Sequence, residues 1–208
     1  YAVADGLGGL PGGAHTSRRI TELLRQRINC ITAEEERLDL AELIISINHI
    51  IAKESLDAYP DTGSGSTLTL GQIIGGQLLI GHVGDSAAYL LRRDNLVKLT
   101  IDHTMEQKLI DEHGEEARLH MPPEYPHTLT RCVGQEHEFR VDQTRIELES
   151  GDRVLLCTDG LNKVLRETEI AHILGSDMNA EEISIQLANR ANEESGPDNI
   201  TIITLILD

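Results

Sequence analysis

Residues 67–99 read TLTLGQIIGGQLLIGHVGDSAAYLLRRDNLVKL, and this stretch decides the fold. Its apolar runs are separated only by short groups of turn-forming residues, which is typical of consecutive strands. The sequence predicts strands over 67–73, 77–83, 87–93 and 96–99. A parallel connection needs a dozen or more residues, so we expect these strands to form an antiparallel meander. The same pattern predicts three later strands, over 143–148, 153–158 and 200–207.

Helical periodicity appears on both sides of this block. Apolar residues recur at helical spacing over 16–31, and a capping box formed by Thr32 and Glu35 predicts a second helix that ends at Tyr59-Pro60. Two further helices are predicted over 167–174 and 180–193, with Asn179 and Glu182 as a capping box at the start of the last one. Since helices come in pairs and strands in groups, we predict an α+β fold and not alternating βαβ units.

The chain of 208 residues has the length of one ordinary domain, and we interpret residues 1–208 as a single domain. Residues 102–125 differ from the rest: a short polar helix near 104–113 is followed by Met121-Pro122-Pro123, which excludes regular structure. We predict that 102–125 is a mobile flap. The chain opens on an apolar run from Tyr1 to Ala4, so we also expect a further N-terminal segment in the natural protein.

Charge and composition exclude several classes of partner. The formal net charge of -17 repels nucleic acid and anionic membrane surfaces, and an aromatic content of 2% makes base stacking improbable. No run approaches the roughly 18 apolar residues of a membrane-spanning helix. The cysteines Cys30, Cys132 and Cys157 match neither zinc-site nor disulfide spacing, so we predict reduced thiols in a cytoplasmic protein.

Aspartates carry the chemical signal of this sequence. Asp5-Gly6, Gly84-Asp85, Asp159-Gly160 and Asp198-Asn199 each lie where an apolar run begins or ends. Carboxylates at strand ends can converge at one edge of a sheet, and carboxylate oxygens are the ligands that hard divalent cations prefer. The pattern therefore favours metal-dependent hydrolysis.

The same residues and loops offer weaker support for other kinds of site. An Asp-Gly pair alone is more often a turn, and a turn fully explains Asp94 and Asp152. The glycine-rich loops lack the lysine of a Walker loop, and the sequence contains neither HExxH nor the GxSxG elbow of serine hydrolases. The nine histidines are scattered, which favours surface or packing roles for most of them.

Six short motifs follow one another along nearly the whole chain: Asp5-Gly6-Leu7-Gly8-Gly9, Gly65-Ser66-Thr67, Gly84-Asp85-Ser86, Asp102-His103-Thr104, Thr158-Asp159-Gly160-Leu161 and Asp198-Asn199-Ile200-Thr201. In this order and at this spacing the chain resembles the metal-dependent (type 2C) serine/threonine protein phosphatases, and most closely their bacterial branch. The resemblance implies a four-layer αββα sandwich of two antiparallel sheets flanked by helix pairs.

The resemblance also implies a metal centre of two or three Mn²⁺ or Mg²⁺ ions. Asp5 would bridge two of them, the Gly6 carbonyl would bind one, and Asp159 and Asp198 would complete the ligands of the second metal. Asp85 would form a weaker third site with Asp159. Asp5, Asp159 and Asp198 are then the catalytic residues. Leu7 stands where eukaryotic members carry a histidine proposed as general acid.

The activity implied is hydrolysis of phosphoserine and phosphothreonine monoesters by a metal-activated water. The partner would be a phosphorylated protein, the target of a serine/threonine kinase. The alternative is a pseudophosphatase, a binding or regulatory module without turnover. Retention of Asp5, Asp159 and Asp198 together favours the enzyme.

Overall fold

Two antiparallel four-stranded sheets form the centre of the computed structural model, which describes residues 1–29, 38–136, 139–194 and 198–208. The first sheet has the order β1-β2-β3-β6 and the second the order β5-β4-β7-β8. The strands are β1 (Ala2–Val3), β2 (Leu68–Ile74), β3 (Gln77–Val83), β4 (Ala87–Arg92), β5 (Asn95–Lys98), β6 (Asp142–Glu147), β7 (Arg153–Cys157) and β8 (Ile202–Ile206).

Helices cover the outer face of each sheet. In chain order they are α1 (Gly13–Asn29), α2 (Leu40–Ala58), α3 (Met105–His113), α4 (Asp159–Asn162), α5 (Glu167–Leu174) and α6 (Ala180–Glu194). Helices α1 and α2 pack on the first sheet and α4 to α6 on the second, whereas α3 buries none of its residues. Short 3₁₀ helices follow α3 at Glu115–Leu119 and Tyr125–His127.

Three apolar cores correspond to the three interfaces of a four-layer sandwich. Because side chains alternate along a strand, β4 serves two of these cores. Ala88 and Leu90 face the other sheet, whereas Tyr89 and Leu91 face α5 and α6. A strand buried on both faces needs an unbroken apolar sequence, which explains the run of residues 87–91.

The predicted α+β class and αββα layers are confirmed, but the predicted meander is wrong. Strands β3 and β4 do not pair, because the chain leaves the first sheet at Val83 and enters the second at Ala87. Gly84 allows this corner with a φ of +110°, in the region that favours glycine. The link between β6 and β7 also crosses from sheet to sheet. A short connection excludes a parallel crossover but cannot distinguish a hairpin from such a corner.

Helix starts differ from the predictions more than helix ends do. Helix α1 begins at Gly13, three residues before the predicted Thr16. Helix α2 begins at Leu40 and is capped by Asp39, whose carboxylate accepts hydrogen bonds from the amides of Ala41 and Glu42. The capping box predicted at residues 32–35 lies outside the described residues.

The capping box predicted for α6 is confirmed. The amide of Glu182 donates to Asn179 Oδ1 at 3.0 Å, and the amide of Asn179 donates to the Glu182 carboxylate at the same distance. We expect Asn179→Ala to lower the free energy of unfolding by about 1 kcal/mol, the usual cost of a lost N-cap. Urea unfolding should show this loss, while Asn192→Ala, at an exposed position inside α6, should instead raise the free energy of unfolding by up to about 0.7 kcal/mol, because alanine is the better helix former.

Two further observations bear on the surroundings of the protein. Cys132 and Cys157 are free thiols, the second of them fully buried. None of the helices in the described part of the chain combines the length and the apolar character that crossing a bilayer requires.

Candidate metal centre

Asp5 is fixed through its backbone by the start of β2. Its amide donates to Thr67 Oγ1 at 2.9 Å, and its carbonyl accepts from the Thr67 amide at 2.8 Å and from Ser66 Oγ at 2.8 Å. Thr67 Oγ1 in turn contacts Ser86 Oγ at 2.7 Å, in the corner between β3 and β4. These bonds hold the backbone of Asp5 beside Asp85 and leave both carboxylates for other contacts.

Gly6 must be glycine because the loop after it folds back against its backbone. A Cβ on Gly6 would lie 2.1 Å from the carbonyl oxygen of Gly13, the first residue of α1. No side chain fits at this distance. The glycine-rich segment 6–13 is therefore a tight connection that brings the start of α1 against the strand end carrying Asp5.

Asp85 follows the corner at Gly84, and His103 holds that corner. The Gly84 amide donates to His103 Nδ1 at 3.0 Å, so the ring proton is on Nε2, which lies 3.1 Å from Asp142 Oδ2. His103 is 4% exposed, and burial lowers its pKa. The neutral ring therefore positions the loop that presents Asp85.

Asp159 and Asp198 come from neighbouring strand ends. Asp159, separated from β7 only by Thr158, is the first residue of α4, and Asp198 precedes β8, which pairs with β7. The Thr201 amide donates to Thr158 Oγ1 at 3.0 Å. A Cβ on Gly160 would lie 2.5 Å from the carbonyl oxygen of Asn199, so glycine permits the close approach of the two segments. The two aspartates consequently meet at one edge of the second sheet.

All five predicted metal-site residues line one pocket of about 500 Å³ between the two sheets' ends. Their roles as ligands stay predictions. Besides the glycine-rich loop, the pocket is lined by Asp5, Gly6, Thr67, Asp85, His127, Leu129, Asp159, Asp198 and Asn199. A larger cleft of about 790 Å³ lies along α3, lined by Thr104, Gln107 and Arg131 among others, but it contains none of the five.

The carboxylates in this pocket repel one another. Burial, followed by the charges of Asp159 and Asp198, raises the pKa of Asp5 to about 7. The charge of Asp85 acts on Asp5 in the same direction. Burial also raises the pKa of Asp85, although the ammonium of Lys163 opposes this. Such a cluster is stabilised by positive charge placed among its members.

Among the contacts that the structure describes, one carboxylate oxygen in the cluster has no hydrogen-bond donor and is therefore a place where a cation would be stabilising. Among the described residues, Asp159 Oδ1 is buried and has no hydrogen-bond partner. A buried carboxylate oxygen without a donor is costly, and a cation would satisfy it. The donor set of carboxylates and backbone carbonyls suits Mg²⁺ or Mn²⁺. The residues therefore fit the predicted ions.

The described acidic side chains of this pocket do not already form a complete set of metal ligands. Within the parts of the chain that the structure describes, no group of three or more His, Cys, Asp or Glu side chains is arranged to hold a metal ion as it stands. Instead, Lys163 Nζ lies 2.6 Å from Asp85 Oδ2 and 2.8 Å from Asp159 Oδ2.

Sequence reasoning missed both Lys163 and the role of His103. Lys163 follows Asp159 by four residues in a helical turn, a spacing at which acidic and basic side chains meet, so its contact with Asp159 was foreseeable. Its contact with Asp85 depends on the corner between the sheets. The bond from Gly84 to His103 joins segments 19 residues apart and has no local signal.

Fold and pocket together define a class of protein, an αββα sandwich with a cluster of aspartates at its strand ends. The family described as protein phosphatase 2C matches residues 1–200, and the chain belongs to this family. The predicted resemblance is thereby confirmed.

Several relatives are similar over almost the whole chain. Serine/threonine phosphatase stp of Listeria monocytogenes serotype 4b (strain F2365) is 32% identical over 212 residues, covering 99% of this chain and 83% of the relative. The catalytic domain of the serine/threonine protein phosphatase PstP, solved in complex with two manganese ions, has a TM-score of 0.82 and 32% identity, covering 100% of this chain and 87% of that one. Serine/threonine phosphatase Stp1 from Staphylococcus aureus has a TM-score of 0.90 and 26% identity, covering 100% and 83%.

Proposed function

We propose that this protein is a metal-dependent phosphatase that hydrolyses phosphoserine and phosphothreonine monoesters in proteins. The observation that carries the proposal is the meeting of Asp5, Asp85, Asp159 and Asp198, from four separate segments, in one pocket with an unpartnered carboxylate oxygen. Membership of the protein phosphatase 2C family and the bacterial serine/threonine phosphatases among its relatives support it.

The ions would be Mn²⁺ or Mg²⁺, held by Asp5, the Gly6 carbonyl, Asp159 and Asp198. When bound, such a pair supplies charge neutralisation for the phosphoryl group and a water of lowered pKa. The manganese-bound structure of PstP supports a two-ion site. For the third ion predicted between Asp85 and Asp159, the structure has the Lys163 ammonium at that position.

The chain's own residues would hold the reacting groups in place. Asp5, whose backbone is hydrogen-bonded to Thr67 and Ser66, would lie at the centre of the negative charge of the four aspartates. Asn199 would support Asp198 without itself contacting an ion. His127 and Leu129, just after the flap region 102–125, form part of the pocket wall. We propose that 102–125 borders the bound phosphoprotein. We further propose that this phosphoprotein is a kinase target in the cytoplasm, where Cys132 and Cys157 would stay reduced.

The test is phosphate release from phosphoserine and phosphothreonine peptides by the purified protein. Release is expected with Mn²⁺ or Mg²⁺ and is expected to stop when a chelator removes the ions, because the carboxylates alone cannot neutralise the phosphoryl charge. A phosphotyrosine peptide is the specificity control. A folded protein that binds the peptides but releases no phosphate at any metal concentration would instead be a pseudophosphatase.

A further inference from the structure

The ammonium of Lys163 lies at the point where the predicted third cation would bind. Its Nζ contacts one oxygen of Asp85 at 2.6 Å and one of Asp159 at 2.8 Å. We propose that Lys163 replaces the third ion with a tethered positive charge, so that this protein binds two divalent ions and not three. The inference rests on the proposed function, because it concerns the same metal centre.

The backbone of α4 places Lys163 for this contact. The Lys163 amide donates to the Asp159 carbonyl at 3.0 Å, which closes one helical turn between the two residues. The side chain then runs back over Asp159 toward the corner that carries Asp85. The position of the ammonium is thus set by the same turn that presents Asp159, and both move together.

The ammonium of Lys163 has a hydrogen-bonding neighbour for each of its three donors. A lysine ammonium has three N–H donors. Besides the two carboxylates, its third neighbour is His127 Nδ1 at 3.3 Å, from the segment that follows the flap region. Its side chain is 24% exposed, and those of Asp85 and Asp159 are 8% and 17% exposed. Contacts shielded to this degree are screened less than those of a surface pair.

A free ion would have to displace this ammonium. Nitrogen-to-oxygen distances of 2.6 and 2.8 Å leave no room for a second cation between the same two oxygens. The tethered charge also gives up no translational freedom on binding, whereas a free ion does. A weak metal site would therefore lose the competition. Burial alone would lower the pKa of Lys163, but Asp85 and Asp159 outweigh it and raise that pKa.

The arrangement still leaves oxygens for the other two ions. Lys163 contacts Oδ2 of Asp159, and the unpartnered atom of that carboxylate is Oδ1. Asp5 lines the same pocket as Asp159. Lys163 thus fixes one oxygen of Asp159 and leaves the other for an ion shared with Asp5. In this reading Lys163 is a positioning residue, and Asp85 is its counter-ion.

The test counts bound ions. We would measure Mn²⁺ bound per chain by equilibrium dialysis up to millimolar concentration, with the electron paramagnetic resonance of free Mn²⁺ as the readout. The unchanged protein should bind two ions, and Lys163→Ala should bind three, the third more weakly. Lys163→Arg should stay at two. Adding Asp85→Asn to Lys163→Ala should remove the third ion again.

Lys98 offers a matched control. Its Nζ lies 2.7 Å from Asp102 in another i, i+4 pair, its side chain is also 24% exposed, and it lies outside the pocket. Lys98→Ala should leave the count at two. Three ions on the unchanged protein, or two on a folded Lys163→Ala variant, would overturn the inference. An unchanged protein that binds no Mn²⁺ and releases no phosphate would overturn the proposed function first.

Discussion

Asp5→Asn is expected to lower kcat/KM for p-nitrophenyl phosphate with Mn²⁺ by at least about 10³-fold. Asp5 lies nearest the centre of the cluster, since the charges of Asp159, Asp198 and Asp85 all act on it. An amide can offer one neutral oxygen where the carboxylate offers two charged ones, so it cannot bridge two cations. Initial rates of p-nitrophenol release at saturating Mn²⁺ measure the loss.

The same substitution should stabilise the metal-free protein. The pKa of Asp5 is about 7 in the folded protein and 3.8 ordinarily, so between these values the folded state binds more protons. The contribution of Asp5 to stability is therefore present below pH 3.8 and lost as the pH rises through 7. The full shift corresponds to about 4 kcal/mol, which solvent screening of this half-buried group reduces to about 1 to 2 kcal/mol. Urea unfolding at pH 8 in chelator should show the gain.

Asp94→Asn is the matched control for both measurements. Asp94 is exposed in the turn between β4 and β5, with a φ of +68° that asparagine also tolerates. It should change neither activity nor stability. If Asp5→Asn kept near-normal activity, Asp5 would not be a bridging ligand. If it failed to stabilise the metal-free protein at pH 8, the repulsion among the carboxylates would be weaker than the geometry indicates.

Much of the site could be predicted because its residues are marked locally. Asp5, Asp85, Asp159 and Asp198 each lie beside a strand. Strands β1 and β3 run in the same direction on either side of β2, and β8 is antiparallel to β7, so within each sheet the two aspartates lie at the same end. Gly6 and Gly160 mark the places where backbones approach closely, at 2.1 and 2.5 Å from a hypothetical Cβ. These features depend on a few neighbouring residues, so single-sequence reasoning can recognise them.

The rest depends on contacts between distant segments. Whether residues 84–86 form a hairpin or a corner between sheets is decided by what packs on both faces of β3 and β4, not by the turn itself. The place of Lys163 beside Asp85 follows from that corner. The role of His103 also follows from it, since the ring accepts a hydrogen bond from Gly84. The pattern of residue types along the chain does not predict such contacts between distant segments.

His82→Gln is expected to make the protein less sensitive to acid. His82 is 2% exposed, with Nδ1 at 2.9 Å from Thr69 Oγ1 and Nε2 at 3.1 Å from the Ile101 carbonyl. Burial, followed by repulsion from His103 once that ring is also protonated, lowers the pKa of His82 from 6.5 to about 3; the hydrogen bond to Ile101 and the charge of Asp142 oppose this, and Lys98 reinforces it. The folded protein therefore keeps His82 neutral down to a pH at which the unfolded chain has already bound a proton.

This difference in protonation decides how the free energy of unfolding depends on pH. Between pH 3 and 6.5 the unfolded state binds more protons, so the contribution of His82 is fully present above pH 6.5 and is lost as the pH falls toward 3. From pH 7 to pH 4 the loss is about 3 kcal/mol, at 1.36 kcal/mol per pKa unit. Glutamine supplies an oxygen for Thr69 and a donor for Ile101 but does not titrate. Urea unfolding of the unchanged protein and of His82→Gln is measured in chelator at pH 7 and at pH 4. The difference between their free energies of unfolding should fall by that amount between the two pH values. Asp5 titrates in both proteins, so its opposite trend cancels in this difference. A difference independent of pH would show that His82 is protonated alike in both states.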